Sequence, residues 1–221
     1  MRKILSVLLV SLLIFSFASC GSEKNISQGS GEENTEISNI LIVYFSRWGN
    51  TDYPDDVDAT TSASIVPDGD GRYGTTEYIA NMIADEVDGD LHLIETVTPY
   101  TADFDELRDV NHDEMGRNYL PELKESNLDI AGYEVVFVGY PVWWASIPMP
   151  IASFLEEYDF TGKTIIPFCS HGGGRFGQSL TAISKLAPDA VMGEALSVHY
   201  SGGSSLPDDV EGWLRTNGMI E

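Results

Sequence analysis

Cysteine is nearly missing from this chain: Cys20 and Cys169 are the two it has among 221 residues. If Cys20 carries lipid, no intramolecular disulfide can form, and the fold must hold by its core alone even in an oxidising compartment. Basic residues are scarce too. Lys and Arg number 12 against 35 Asp and Glu, a formal net charge of −23. Such an acidic surface argues against nucleic acid and against anionic lipid headgroups as direct partners. It suits docking of a basic protein, or serves solubility alone. The chain lacks an internal repeat, and no Ser-His-Asp or Cys-His arrangement stands in a supporting context, so hydrolysis is not the leading class. His112-Asp113-Glu114 has no second His at helical spacing, which speaks against a metal site. Asp68-Gly69-Asp70 lacks the downstream bidentate Glu of a calcium loop.

A long apolar run is also wanting. Ile4 to Phe17 falls short of the ~18 residues that a comfortable membrane span needs. With Arg2-Lys3 before it and Ala18-Ser19-Cys20 after it, the run reads as a charged n-region, an apolar h-region and a small-residue cleavage site with Cys at the cut. Residues 1–19 thus resemble a bacterial lipoprotein signal. That resemblance implies a diacylated Cys20 as the mature N-terminus and a protein held to the membrane, outside the cytoplasm, only through its lipid. A plain secretory peptide or an uncleaved anchor is the alternative. Residues 20–38, rich in Gly, Ser, Glu, Asn and Gln, have the composition of a flexible tether. Residues 39–221 have the length of one domain with a sizeable core.

Along that domain, strand-like and helix-like runs alternate, the pattern of a parallel sheet covered on both faces. Ile40 to Phe45, Leu91 to Val97, Tyr133 to Tyr140, Thr164 to Cys169 and Val191 to Val198 are the strand candidates. The runs around Ile42 and Val136 are nearly continuous in Val, Ile, Phe and Tyr, which predicts central strands. Ile79, Met82, Ile83 and Val87 form one helical stripe behind Thr75 or Thr76 as N-cap. Ile151, Phe154, Leu155 and Tyr158 form a second, opened by Pro148 or Pro150. Leu180, Ile183 and Ala187 form a third, and Val210, Trp213 and Leu214 predict a closing helix. Between Asp103 and Leu123 a helix is expected to break near Gly116. Pro167 is the anomaly: inside an internal strand its missing N–H deletes a ladder bond, so the strand is either bulged or cut short there.

Three turns succeed three of these strands. The first is Ser46-Arg47-Trp48-Gly49-Asn50-Thr51, whose hydroxyls and backbone amides can bind a phosphate monoester without cationic help. The second is Tyr140-Pro141-Val142-Trp143-Trp144, with indole area for stacking and loop backbone for hydrogen bonds. The third, Ser170-His171-Gly172-Gly173-Gly174, lets backbone approach a planar ligand closely.

In order and spacing, these pieces resemble the flavodoxin family across residues 39–221. The resemblance implies a three-layer, doubly wound, five-stranded parallel sheet in the order 2-1-3-4-5, with FMN at the carboxyl ends of the strands, as the general rule for open α/β sheets also holds. The phosphate would lie among Ser46, Gly49 and Asn50. The flavin ring would lie against Pro141, Val142, Trp143 and Trp144, with Trp48 a further stacking candidate and one of the paired tryptophans ordinary core. Ser170, His171, Gly172, Gly173 and Gly174 would close the third side. Neutral donors leave the phosphate's charge in place, which disfavours adding electrons to the nearby ring and makes the reduced cofactor a stronger reductant. One departure stands out. Residues 52–73 are inserted where the family's first helix begins, so Thr75 and Thr76, rather than Thr51, are expected to supply the helix-end donors. Cys169 is read as a buried, unreactive thiol.

Three functions compete at this level. The first is an FMN-dependent electron carrier between protein partners, favoured by the acidic surface and the lack of a second dinucleotide fingerprint. The second is an NAD(P)H or quinone reductase, and the third is a non-redox binding module on the same fold. A two-component receiver is set aside, because Tyr44-Phe45-Ser46 and Tyr140-Pro141 stand where its acidic cluster and phosphorylatable Asp are required.

Overall fold

The computed structural model describes residues 39–54, 57, 65–68 and 71–221; the expected signal and tether lie outside the described residues. The strands are β1 (Ile40–Tyr44), β2 (Ile65–Asp68), β3 (Gly71–Gly74), β4 (Asp90–Leu93), β5 (Val135–Pro141), β6 (Thr164–His171), β7 (Val191–Met192) and β8 (Leu196–His199). The helices are α1 (Thr75–Val87), α2 (Phe104–Arg117), α3 (Met149–Glu157), α4 (Ser179–Leu186) and α5 (Leu206–Thr216). The main sheet runs β4-β1-β5-β6, with β7 and β8 both on the outer side of β6, and every pairing in it is parallel. With β7 and β8 taken as one interrupted strand, this is the expected 2-1-3-4-5 order.

Alternation along the strands divides two apolar layers. Leu41, Val43, Phe45, Val136, Val138 and Ile165 point toward α2, α3 and α4, meeting Leu107, Ile151, Phe154 and Ile183. Ile42, Tyr44, Phe137, Ile166 and Phe168 point the other way, toward Ile79 and Ile83 of α1 and Val210, Trp213 and Leu214 of α5. Burial on both faces is why these strands read as unbroken apolar runs rather than alternating ones.

Pro167 is accommodated in a way the sequence leaves open. In a parallel strand, successive residues bond to opposite neighbours. Lys163, Ile165 and His171 give their carbonyls to the fifth-strand side, receiving the N–H groups of Val191, Gly193 and Tyr200, whereas Thr164 donates to Glu134 on the β5 side. Pro167 therefore has its absent N–H on the fifth-strand side, opposite the gap between Met192 and Leu196. Its register with Val138 of β5 is intact. Neither a bulge nor an early end is needed; the neighbour is interrupted instead.

Several boundaries differ from expectation. The strand expected over Leu91 to Val97 ends at Leu93, because Val97 N–H goes to Glu122 and Lys124 N–H to Glu95, pulling the chain off the sheet. The N-cap of α1 is Gly74, not Thr75 or Thr76, which are the first helical residues. Helix α2, by contrast, ends after Arg117, close to the break expected near Gly116, where Asn118 takes φ 49° as a left-handed cap. The insertion contains two strands where none was expected: β2 and β3 pair antiparallel from Ile65↔Gly74 to Asp68↔Gly71, delivering the chain directly to the start of α1.

Gly139 sits between Tyr44 of β1 and Phe168 of β6. A Cβ there would lie 2.1 Å from Cζ and 2.4 Å from Cε2 of the fully buried Phe168 ring. Gly139→Ala is therefore expected to destabilise the domain by about 1–3 kcal/mol through overpacking, read as a lowered urea midpoint; an unchanged midpoint would contradict this packing.

Candidate functional site

Because the sheet is parallel, the turns after β1, β5 and β6 leave from the same edge. The first begins with Phe45, whose N–H bonds the Gly139 carbonyl at 2.9 Å, and passes directly into Ser46, which is buried. Asn50 shapes the rest of this turn. Its Nδ2 donates to the carbonyls of Ser46 and Ile94, both at 2.9 Å, while its Oδ1 accepts from the N–H of Thr96 at 2.8 Å and its hydroxyl at 3.3 Å. The expected direct role of Asn50 as a ligand donor is thus corrected: its amide is committed within the protein and holds the turn against the segment after β4. Gly49 allows the reversal, with φ +97° and a Cβ position already 3.1 Å from Leu93 Cδ2.

Arg47 has a role that sequence reading missed. It is buried, and its guanidinium donates to the carbonyls of Thr101 at 2.7 Å and Ala102 at 2.9 Å while lying 5.2 Å over the Tyr53 ring. It clamps the segment before α2 to the first turn. Trp48 stacks on Tyr53, with centroids 5.7 Å apart and planes at 16°, so one face of its indole is already covered.

Four hydroxyl residues meet at the start of α1. Thr76 Oγ1 and Ser170 Oγ are 2.9 Å apart and buried, and Thr75 Oγ1 donates to the Tyr200 carbonyl at 2.9 Å. Ser46 Oγ lies so near the Gly74 backbone that a Cβ there would be 2.1 Å from it. The insertion therefore returns the chain to the first turn at a residue that must be glycine. Gly74 carries no side-chain cap, while its own N–H donates to Glu77 Oε2 at 3.0 Å. Burial pushes the Glu77 carboxyl upward, partly offset by that bond. Thr51 is held through its backbone, bridging to Trp48 and Tyr100.

The second and third turns are tied to each other. Val142 N–H donates to the Ser170 carbonyl at 2.7 Å, and Pro141 is in register with Ser170. Tyr140 OH donates to Ser179 Oγ at 2.8 Å, anchoring the end of β5 to the start of α4. Trp144 and Ala145 both take positive φ, 41° and 65°, and Gln178 N–H holds the Ala145 carbonyl at 2.6 Å. Gly177 is required there: at φ +53°, a Cβ would be 2.4 Å from the Ala145 oxygen.

The two tryptophans separate cleanly. Trp143 is buried, with edge contacts to Tyr100 at 5.2 Å and Phe45 at 5.4 Å, so it is the core member of the pair. Trp144 is half-buried, against His112 at 5.3 Å and Phe104 at 6.1 Å. His171 Nδ1 accepts the Gly173 N–H at 2.9 Å, which places the ring proton on Nε2. Burial, His199 and Arg175 all hold this imidazole below its ordinary pKa, so it stays neutral at pH 7. A Cβ on Gly172, Gly173 or Gly174 would meet nothing within 4 Å, so the backbone of this turn borders open space. Burial pushes the Cys169 thiol up to about 12, which makes it unreactive as expected.

The residues present fit a phosphorylated planar group. A helix start whose cap lacks a side-chain acceptor, flanked by neutral hydroxyls, favours an anion. Open glycine backbone and a partly exposed indole beside it leave room for a flat ring.

A family model described as Flavodoxin matches residues 71–217. Among solved structures, a candidate flavoprotein from Bacteroides eggerthii shares 29% identity at a TM-score of 0.61, covering 81% of this chain and 97% of its own. Another candidate flavoprotein, from Bacteroides uniformis, shares 24% identity at a TM-score of 0.56, covering 81% and 99%. A Lactobacillus acidophilus flavoprotein solved in complex with FMN shares 19% at a TM-score of 0.52, covering 79% and 97%. The latter two likenesses are of fold. No curated protein matches the chain.

The Asn50 bonds generate a direct test. Asn50→Ala strands the buried carbonyls of Ser46 and Ile94 and the Thr96 N–H, and since each unsatisfied group costs about 1–3 kcal/mol, a loss of at least about 2 kcal/mol is expected in urea unfolding. A loss within the error of the measurement would show that the turn is held by other means.

Proposed function

The chain belongs to the flavodoxin family, and from that premise we propose that it is an FMN-binding electron-transfer protein, lipid-anchored through Cys20 outside the cytoplasm. The observation that carries the reading is the meeting of Ser46, Thr75, Thr76 and Ser170 at the start of α1, beside the open glycine turn. FMN, when bound, supplies the electron-accepting and electron-donating ring. The chain's own residues do the rest. The leading N–H groups of α1, with the hydroxyls around them, hold the phosphate. Trp144 provides stacking area, and the backbone of residues 171–174 approaches the ring without side-chain obstruction. Trp143 supports the loop from beneath through Phe45 and Tyr100.

Hydroxyl donors in place of Lys or Arg leave the phosphate dianion uncompensated in a chain of formal charge −23. That field opposes electron entry and lowers the reduction potential, which suits a donor of electrons. The same acidity favours basic redox proteins as partners, and the carrier role is preferred to a reductase because the chain has no second dinucleotide fingerprint. The anchor rests on Arg2-Lys3, the run from Ile4 to Phe17, and Ala18-Ser19-Cys20. Labelled palmitate should enter the full-length chain and not its Cys20→Ala variant; equal labelling of both would remove the anchor from the reading.

Replacing Thr75 and Thr76 together by Ala should weaken FMN binding by about tenfold or more, equivalent to roughly 1.4 kcal/mol, while Thr51→Ala changes it little. An equal or larger loss at Thr51 would move the phosphate to the other end of the insertion. Trp144→Ala should relieve the quenching of flavin fluorescence. Unchanged quenching would take Trp144 out of the ring site.

A further inference from the structure

Of the three turns, the third has the least to hold it. A Cβ on Gly172, Gly173 or Gly174 would touch nothing within 4 Å, and Gly173 takes φ +129°, so neither packing nor a restricted backbone fixes their path. Both ends are anchored. Ser170 is tied to Val142 N–H at 2.7 Å and to Thr76 Oγ1 at 2.9 Å, while Gly177 N–H bonds the Gly174 carbonyl at 3.2 Å. Between those anchors, among the described residues, the hydrogen bond made by Gly172 or Gly173 is the one from Gly173 N–H to His171 Nδ1, at 2.9 Å.

The ring that accepts this bond is itself placed by the sheet. His171 and His199 stand opposite each other in the β6–β8 register, and their rings meet edge to face, with centroids 5.7 Å apart and planes at 81°. His199 packs on Tyr200 at 4.4 Å and has its Nδ1 2.8 Å from Ser201 Oγ; Tyr200 N–H returns to the His171 carbonyl at 2.9 Å. The charged or titratable groups facing His171 are therefore His199 on β8 and Arg175 in its own turn. Residues 141–147 after β5 and 176–184 of the α4 side bring none, and Glu77 of α1 is bonded to Gly74 N–H. Burial, His199 and Arg175 all oppose a proton on His171.

An uncharged imidazole can offer Nδ1 as an acceptor, whereas both ring nitrogens of an imidazolium are donors. A protonated His171 sets one N–H against another at Gly173, and the bond is lost. We propose that His171 is the positioning residue of the third turn: its uncharged ring holds residues 172–174 in the shape that receives the flavin, and a proton on it releases the turn and weakens FMN binding. This inference rests on the FMN reading above. Because the fold favours the neutral ring, the hold is complete above the ordinary imidazole value of about 6.5 and is lost as pH falls through the lower value that His171 has in the folded chain.

The test is titration of the full chain, kept in detergent, with FMN, followed by flavin fluorescence at about pH 7.5 and about pH 5, on either side of the ordinary imidazole value. Two variants are compared with the unsubstituted chain. His171→Ala removes the acceptor. His171→Asn replaces it with a group that does not titrate, since an Asn side-chain oxygen can accept the backbone N–H two residues on. At the higher pH, His171→Ala should weaken FMN by about threefold or more, the worth of one hydrogen bond, and His171→Asn should restore most of that loss. Between the two pH values, the unsubstituted chain should lose at least about threefold more affinity than His171→Asn. The FMN phosphate, which titrates near about pH 6, affects both alike and cancels in the ratio. Equal losses on acidification, an Ala variant as good as His at the higher pH, or an Asn variant no better than Ala would each overturn this inference while leaving the FMN reading in place. No FMN binding by the unsubstituted chain at the higher pH would overturn that reading, and this inference with it.

Discussion

Parallel pairing is the constraint on which this molecule depends. Because β1, β5 and β6 run the same way in continuous register, from Ile40↔Val135 to Pro141↔Ser170, their carboxyl ends share one edge. The three turns then converge without any further device. Helix α1, whose Ile79 and Ile83 are fully buried against that sheet, brings Thr75 and Thr76 to the same edge. The apolar strands therefore do two things at once: they stabilise the domain by burial on both faces, and they aim its polar turns.

The turn after β1 is held by polar bonds rather than by packing. Asn50 joins it to the segment after β4, Arg47 joins it to the residues before α2, and Ser46 abuts Gly74. Such buried and charge-assisted bonds cost much to break and little to keep, which gives a site its fixed shape. The insertion over residues 52–73 is tolerated because the β2–β3 pairing returns the chain to the same point from which a shorter turn would have departed.

Much of this was legible in the sequence, for identifiable reasons. Long buried strands announce themselves by composition, and helices α1, α3, α4 and α5 by apolar spacing, so order, layers and the three turns could be read. Side-chain targets could not. Asn50 looks like a ligand donor until its four partners are seen, and Arg47 looks like a surface cation until two carbonyls are found under it. Pro167 posed a question that only the register could answer, since its missing N–H matters solely on the side where β7 ends and β8 has not begun. Trp143 and Trp144 are identical in sequence terms; Trp144 stays half-buried against His112 and Phe104 while Trp143 packs on Phe45.

The most direct measurement is the visible absorption spectrum of the domain from residue 39 onward during titration with FMN. A shifted, structured flavin band saturating at one FMN per chain is the result this account predicts. A spectrum that remains that of free FMN throughout the titration would contradict it, and would leave the converged turns as a site for some other phosphorylated ligand.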